Sequence, residues 1–162
     1  GAGSILVPCH RDLHPGNLIY TRGRFFAIDY TWGGMADAYA DLATIAFFEC
    51  PNEEQDKVLL ELYLNRAPTP AECAKLSLYR VLDKLYFGMI FLYLTPPALL
   101  ETARPLQKPS LAYLNFGKEG GTSATPEQLL EYGLSLLAEV GRYGQSGECE
   151  RDLRVFLLND LA

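Results

Sequence analysis

The stretch CHRDLHPGNLIY, residues 9–20, contains both histidines of the 162-residue chain, together with an aspartate and an asparagine. His10 and His14 lie four residues apart on either side of Asp12, and Asn17 follows that aspartate by five residues. Groups of these types support two kinds of chemistry. Histidines can bind zinc, whereas a carboxylate can take a proton from a hydroxyl while a nearby amide oxygen holds a hard cation.

The residues around the histidines disfavour a zinc site. Pro15 and Gly16 interrupt the helix that a histidine pair with this spacing would need, and no third ligand is close in the sequence. The cysteines are widely scattered without a CxxC pair, so neither a zinc knuckle nor a close-spaced disulfide framework is indicated. We interpret Cys9, Cys50, Cys73 and Cys149 as reduced cysteines of a cytoplasmic protein.

The second chemistry has a known sequence pattern. Residues 10–13 followed by Asn17 fit H-R-D-L-x-x-x-N, the catalytic loop of kinases, in which the aspartate orients an acceptor hydroxyl and the asparagine binds Mg²⁺. Kinases need a further metal-binding carboxylate at the end of a neighbouring strand, and Asp29 in FFAIDY has that position. Each of these residues alone could be an ordinary turn or capping residue, but the compound pattern favours kinase chemistry.

The longer stretch CHRDLHPGNLIYTRGRFFAIDYTWGGMADAYADLA resembles the C-terminal lobe of the aminoglycoside phosphotransferase and choline kinase superfamily. These are small-molecule kinases with a protein-kinase-like fold, and the resemblance is close over residues 9–43. It implies that Asp12 is the catalytic residue and that Asn17 and Asp29 bind Mg²⁺ and, through it, ATP or GTP. Two residues are expected to support the loop structurally, namely His10 and Asp41.

The small-molecule branch of this fold is favoured over the protein kinases. Asp29 is followed by Tyr30 and Thr31 rather than by D-F-G, and the short turn before Asp41 leaves no room for an activation segment. No Gly-rich loop precedes residue 9, so we expect the N-terminal lobe to be absent and the chain alone to be inactive. The alternative is a catalytically inactive helical binding module derived from such a kinase.

The predicted fold class is α+β, mostly α: a C-terminal kinase-like lobe with one small β-hairpin that carries the catalytic and metal-binding loops. We expect residues 1–4, GAGS, to be a cloning remnant and residues 5–162 to form the lobe. Within it, residues 8–34 contain the catalytic loop and hairpin, and residues 37–162 form a helical subdomain. The hairpin spans residues 18–30 and turns at Gly23 in TRGR.

Start signals predict the helices of the subdomain. Asp37 and Asn52 are placed to cap two of them, and Thr69 and Thr125 each begin a capping box followed by proline. A last short helix, CERDLRVFLLND, closes the chain. Residues 85–94 are predicted to be a buried helix and residues 101–124 a loop.

Composition limits the partners. Hydrophobic residues make up 49% of the chain and charged residues 21%, which is enough for a core. The net charge of −6 disfavours nucleic-acid and membrane partners, whereas an exposed lobe interface predicts self-association.

Two groups of residues could contact the small hydroxyl substrate. The first group is aromatic and could form a cage for a quaternary ammonium or simply be core: Tyr30, Trp32, Tyr39, Tyr79, Tyr86 and Tyr93. The acids Glu49, Glu53, Glu54 and Asp56 could attract an aminoglycoside or simply begin a solvated helix.

Overall fold

The computed structural model describes residues 5–104 and 124–160. Within these ranges the chain forms four short strands and six α-helices, so the predicted mostly helical α+β class is confirmed. The strands are β1 (Leu6–Cys9), β2 (Leu18–Thr21), β3 (Arg24–Ala27) and β4 (Gly34–Asp37). The helices are α1 (Tyr39–Glu49), α2 (Glu53–Leu64), α3 (Pro70–Leu94), α4 (Pro97–Thr102), α5 (Pro126–Gly144) and α6 (Gly147–Asp160).

The predicted hairpin is present as the antiparallel pair β2–β3. Leu18 lies opposite Ala27 and Thr21 opposite Arg24, which leaves a two-residue turn at Arg22 and Gly23. Both turn residues have positive φ, 50° and 75°, as a type I′ turn requires. The TRGR signal therefore locates the turn correctly.

A second strand pair was not predicted. β1 and β4 are antiparallel, with Leu6 opposite Asp37 and Cys9 opposite Gly34. We expected helix from Asp37, but Asp37 ends β4 and the helix begins at Tyr39. Four-residue strands carry too few residues to show an alternating pattern, and the partner of β4 is about thirty positions away in the sequence. Asp37 nevertheless serves the helix start, because its Oδ1 accepts a hydrogen bond from the Tyr39 amide at 3.0 Å.

The predicted helix starts of α2, α3 and α5 are confirmed. The Asn52 side chain accepts a hydrogen bond from the Gln55 amide at 3.1 Å. Thr69 and Thr125 each form a reciprocal capping box, with Glu72 and Gln128 respectively. These bonds satisfy amides that have no partner inside the first helical turn.

Helix α3 is the centre of the helical packing, in contact with α1, α5 and α6. Two apolar clusters form around it. The first joins α1, α2 and α3 through Tyr39, Leu42, Ala43, Ala46, Cys50, Leu60 and Leu76. The second joins α1, α3 and α5 through Phe47, Phe48, Phe87, Phe91, Tyr132 and Leu136.

Two predictions about the helical part need correction. Residues 85–94 are helical but not buried throughout, since Phe87 and Phe91 are buried whereas Met89 and Tyr93 are 52% and 88% exposed. The sequence could not show which face is exposed, because this run is apolar on both faces of the helix. The predicted loop at 101–124 is wrong at its start, where α4 continues to Thr102. Its remainder from 105 to 123 lies outside the described residues, as do residues 1–4.

No described helix is both long enough and apolar enough to cross a membrane. The four cysteines all lie in the described part of the chain and are free thiols. Burial raises the pKa of the Cys9, Cys50 and Cys73 thiols, which keeps them protonated and unreactive at neutral pH.

Candidate active site

The pairing of β1 with β4 brings the two ends of the predicted site together. The chain leaves β1 at Cys9 and returns at Gly34, which is its partner in the sheet. The segment between these residues starts and ends at the same strand pair. It consists of the loop at 10–17, the hairpin β2–β3 and a 3-10 turn at Tyr30–Trp32. The β1–β4 pairing, which was not predicted, and the predicted β2–β3 hairpin therefore hold the loop and Asp29 within one small region.

Asp41, in the first turn of α1, is bonded to the start of the loop. Its Oδ2 accepts a hydrogen bond from the His10 amide at 2.8 Å, and its Oδ1 accepts one from the Arg11 amide at 2.7 Å. Bonds from amides to a carboxylate are among the stronger hydrogen bonds in proteins. The loop is thus attached directly to the helical part of the molecule.

Asn17 fixes the conformation of Asp12. The side chain of Asn17 is buried, and its Nδ2 donates to the Asp12 carbonyl at 2.9 Å and to Asp12 Oδ2 at 3.1 Å. Both amide protons are therefore directed at one residue. The remaining oxygens, Asp12 Oδ1 and Asn17 Oδ1, make no hydrogen bond to any described residue, so each is available to a ligand.

His14 lies on the other side of Asp12. Its Nδ1 accepts a hydrogen bond from the Gly16 amide at 3.0 Å, which leaves Nε2 facing Asp12 Oδ2 at 3.8 Å. A Cβ atom at Gly16 would lie 2.8 Å from His14 Cε1, so a larger residue here would displace the His14 ring. The ring of His14 also approaches that of Phe48 on α1, with the centroids 6.2 Å apart.

Asp29 follows the hairpin in a left-handed conformation, with φ 60° and ψ 67°. Its Oδ1 accepts hydrogen bonds from the hydroxyl and the amide of Thr31 at 2.5 and 3.3 Å. These bonds lower the pKa of the Asp29 carboxyl, which therefore stays ionised. Arg11 also has positive φ, 65°. Such conformations are unfavourable for residues with a Cβ and concentrate at functional sites.

A backbone hydrogen bond brings the asparagine and the second aspartate close together in the fold. The Ile28 amide donates to the Asn17 carbonyl at 2.9 Å, and Asp29 is the next residue. Among the described residues, no group of three or more histidine, cysteine, aspartate or glutamate side chains is placed to hold a metal ion. Asn17 and Asp29 nevertheless suit Mg²⁺, because each has an oxygen without a hydrogen-bond partner in the described chain and Mg²⁺ takes few protein ligands beside phosphates and water.

His10 is buried, and its Nε2 lies 2.8 Å from the Ile28 carbonyl. Because a carbonyl only accepts, Nε2 carries the proton of this bond. Nδ1 has no partner among the described residues. The ring packs on Tyr30 with the centroids 4.4 Å apart, so His10 joins the loop to the segment that carries Asp29.

The aromatic residues considered for a cage lie in different surroundings. Tyr39 belongs to the first apolar cluster and Tyr79 packs against that cluster, as the core alternative predicted. Tyr30 and Trp32 are exposed beside Asp29. Burial raises the pKa of Tyr86. The negative charge of Asp12 also raises this pKa, because Tyr86 lies within electrostatic range of the loop.

Sequence reasoning missed two residues of this region. Thr31 binds Asp29, and the signal was available because a threonine two residues after an aspartate commonly donates to it in a turn. The Oδ2 of Asp83 on α3 lies 3.0 Å from the hydroxyl oxygen of Thr44 on α1. Asp83 lies seven residues after Leu76 and four before Phe87, which places a carboxyl on the buried face of the helix.

The model of the Phosphotransferase enzyme family, APH, matches residues 4–76. The matched segment, which is less than half of the chain, is similar to that family. The match contains the loop, the hairpin, Asp41 and helices α1 and α2, and it confirms the resemblance drawn from the sequence.

The curated relatives also match only a part of this chain. Protein LicA from Haemophilus influenzae is 40% identical over 62 residues, which is 38% of this chain and 23% of the relative. A second Protein LicA from that species has the same identity over 18% of its length. The Protein LicA homolog of Mycoplasma capricolum is 36% identical over 57 residues, 35% of this chain and 24% of the relative. The matched stretch thus spans less than a quarter of each relative, and no solved structure matches the chain significantly.

Proposed function

We propose that this chain supplies the catalytic loop and the metal-binding strand end of a cytoplasmic, ATP-dependent phosphotransferase whose acceptor is a hydroxyl of a small molecule. The observation that carries the proposal is the hydrogen-bonded pair of Asp12 and Asn17, next to Asp29 and anchored by Asp41. The match of residues 4–76 to the model of a phosphotransferase family supports the same chemistry.

In this proposal Asp12 handles the proton of the acceptor hydroxyl. The bonds from Asn17 Nδ2 hold the carboxylate in one orientation and leave Oδ1 unbonded within the described chain. That oxygen is the atom that would accept the proton as the hydroxyl attacks a phosphoryl group. A rotating carboxylate would be aligned only part of the time, so the asparagine contributes to catalysis through positioning.

Asn17 and Asp29 would hold Mg²⁺ through Asn17 Oδ1 and Asp29 Oδ2. The Thr31 bonds occupy the other oxygen of Asp29 and keep this carboxyl ionised, which suits a hard cation. When bound, the ion would neutralise charge on the nucleotide phosphates. Because His10 and the Ile28 amide join the asparagine and aspartate segments, the two ligands are held in register without the metal.

A second lobe would complete the site. Phosphoryl transfer also needs a Gly-rich loop and a lysine over the phosphates. We propose that an N-terminal lobe provides them and selects ATP or GTP. The exposed aromatic and aliphatic side chains of the hairpin provide apolar surface for that contact or for self-association.

The acceptor that the site favours is a cationic amino-alcohol. Tyr30, Trp32 and Tyr86 are all partly or largely exposed. Tyr86 is close enough to Asp12 for the negative charge of Asp12 to raise the pKa of Tyr86. An aromatic face contributes roughly 0.5–2 kcal/mol to binding a cation. The acids considered for an aminoglycoside are less suitable, because Glu53 and Glu54 lie at the start of α2, where they complement the helix dipole.

The test compares Asp12→Asn with Asp29→Asn in the complete enzyme. Asp12→Asn should lower turnover by roughly two to four orders of magnitude with little change in Mg·ATP affinity, because it removes only the proton acceptor. Asp29→Asn should weaken Mg²⁺-dependent nucleotide binding as well. Glu61→Gln, on the exposed face of α2, is the matched control and should behave like the parent.

Steady-state rates would be measured with choline, ethanolamine, other amino-alcohols and aminoglycosides as acceptors. A preference for aminoglycosides would contradict the proposed amino-alcohol acceptor but not the proposed phosphoryl transfer. Parental rates in both aspartate variants on a substrate that the parent phosphorylates would contradict the loop assignment. If the complete enzyme binds the acceptors but transfers no phosphoryl group, the inactive binding module becomes the better account.

A further inference from the structure

Asp83 is a carboxyl group enclosed between α3 and α1, on the side of α1 that carries Asp41. Its Oδ2 lies 3.0 Å from the hydroxyl oxygen of Thr44, and the same hydroxyl lies 3.1 Å from the Ala40 carbonyl. Thr44 is buried. None of these groups takes part in the chemistry proposed above.

The protons available for these two contacts can be counted. A threonine hydroxyl has one proton, and a carbonyl can only accept. If Thr44 donates to Ala40, its contact with Asp83 is a hydrogen bond only when the carboxyl itself carries a proton. A protonated Asp83 satisfies both contacts, whereas an ionised one competes with Ala40 for a single proton.

The neighbouring cations are bound elsewhere. The guanidinium of Arg80, one turn before Asp83, pairs with Asp56 and donates to the Cys50 carbonyl. The ammonium of Lys84 pairs with Glu139 of α5 at 2.8 Å. Within the described residues Asp83 therefore has no ion-pair partner. A partly buried carboxyl without a counter-ion keeps its proton rather than bear an uncompensated charge.

The charged groups around Asp83 act in the same direction. The pKa of Asp83 is raised to about 7, chiefly by partial burial and also by the negative charge of Asp41 on α1, whereas the contact with Thr44 and the charge of Arg80 lower it. Tyr86, one turn further along α3, adds no charge, because burial raises the pKa of its hydroxyl. Asp41 accepts two amide hydrogen bonds, the arrangement that a carboxylate makes.

We propose that Asp83 is a positioning residue that acts on the loop at 10–17 as a protonated acid. It donates its proton to Thr44, which joins α3 to α1, and its neutrality leaves Asp41 as the negative charge that binds the amides of His10 and Arg11. Loss of the proton places a second negative charge near Asp41 and loosens the anchor of the loop. The effect on catalysis rests on the proposed function, but the protonation and the loop anchor do not.

The first measurement is a carboxyl-carbon NMR titration of the whole chain labelled at aspartate. We expect one aspartate to titrate near neutral pH, about three units above the ordinary value for this side chain, and its signal to be missing from Asp83→Asn. Asp152→Asn is the matched control, since Asp152 is a buried aspartate that is bonded to Tyr143 and Arg151. An Asp83 signal that titrates below about pH 5 overturns the proposal.

The second measurement is hydrogen exchange at the His10 and Arg11 amides on either side of neutral pH. After correction for intrinsic exchange, protection in the parent should fall by roughly tenfold as Asp83 ionises. In Asp83→Asn, which is neutral throughout and can still donate to Thr44, protection should not change with pH. Protection that is independent of pH in the parent contradicts the link to the loop. Both measurements work without turnover, so their failure is distinct from failure of the proposed activity.

Discussion

The loop segment, residues 6–37, and the helical body formed by α1–α3, α5 and α6 are stabilised in opposite ways. In the loop segment the buried side chains are Cys9, His10 and Asn17, and two of these make hydrogen bonds that shape the site. Its large apolar side chains are mostly exposed, including Tyr20, Phe25, Phe26, Tyr30 and Trp32. The helical body instead buries two apolar clusters around α3.

This difference separates chemistry from stability. Directional bonds from Asp41 and Asn17 can fix the orientation of a carboxylate, but they contribute little net free energy because water would satisfy the same groups after unfolding. Burial in the helical body supplies the free energy that lets a polar, strained loop persist. Helix α1 connects the two, since Asp41 faces the loop and Phe47 lies in the second cluster.

The largest expected effect compares the same substitution in the two regions. Phe91 is 1% exposed and Phe25 is 72% exposed. Phe91→Ala should lower the free energy of unfolding by about 3–5 kcal/mol through lost burial and a cavity. Phe25→Ala, which loses only the exposed contact with Tyr20, should cost less than about 1 kcal/mol. Urea unfolding followed by circular dichroism measures both, and similar values would break the comparison.

The next effect removes the bond between the regions. Asp41→Asn keeps the size of the side chain but provides only one acceptor oxygen for the two amides of His10 and Arg11. We expect a loss of about 1–3 kcal/mol in local stability, seen as faster hydrogen exchange at these amides while amides of α3 and α5 keep their protection. If protection falls equally in the helical body, the loop is not an independent local unit.

The sequence predicted the two regions by different signals and with different success. The capping boxes at Thr69 and Thr125 are local, so the helix starts could be read from a few residues. The β1–β4 pair is non-local, and its four-residue strands have no pattern that distinguishes them from a turn. Burial along 85–94 also depends on which neighbours the fold supplies, which composition alone does not encode.

The candidate site was predictable where a motif specifies chemistry. The types and spacing of Asp12, Asn17 and Asp29 named three residues that the fold brings into one region. Residues that act through other residues gave weaker signals. Thr31 and Asp83 matter because of what they bond to, and those partners become visible only when the hairpin and the α1–α3 contact are known.

A smaller effect is expected from Gly16→Ala, with Gly141→Ala as its counterpart in the helical body. A Cβ at Gly16 meets the His14 ring, whereas a Cβ at Gly141 meets nothing within 4 Å. Gly16→Ala should displace His14, at a cost of about 0.5–1.5 kcal/mol, and Gly141→Ala should stabilise α5 by about 0.5–1 kcal/mol. Nitrogen NMR of the His14 ring would report loss of its bond to the Gly16 amide. An unchanged ring signal would show that the loop can adjust to the extra methyl.

The smallest effect concerns charge in the helical body and is tested with its two capping boxes. Hydrogen bonds from Arg66, and then from Thr69, lower the pKa of Glu72 to about 2, whereas the matching residue in α5 is the neutral Gln128. Because the folded pKa lies below the unfolded value, Glu72 stabilises the chain at neutral pH and loses that contribution as the pH falls from about 4.5 towards 2. Arg66 is half exposed, so solvent limits the effect to about 0.2–1 kcal/mol.

Glu72→Gln should therefore lower thermal stability slightly at pH 7, whereas in acid the variant should be as stable as the parent. The stability cost of Gln128→Ala should not depend on pH. A cost of Glu72→Gln that persists unchanged in acid would mean that the charge contributes nothing and that only the shape of the capping box matters.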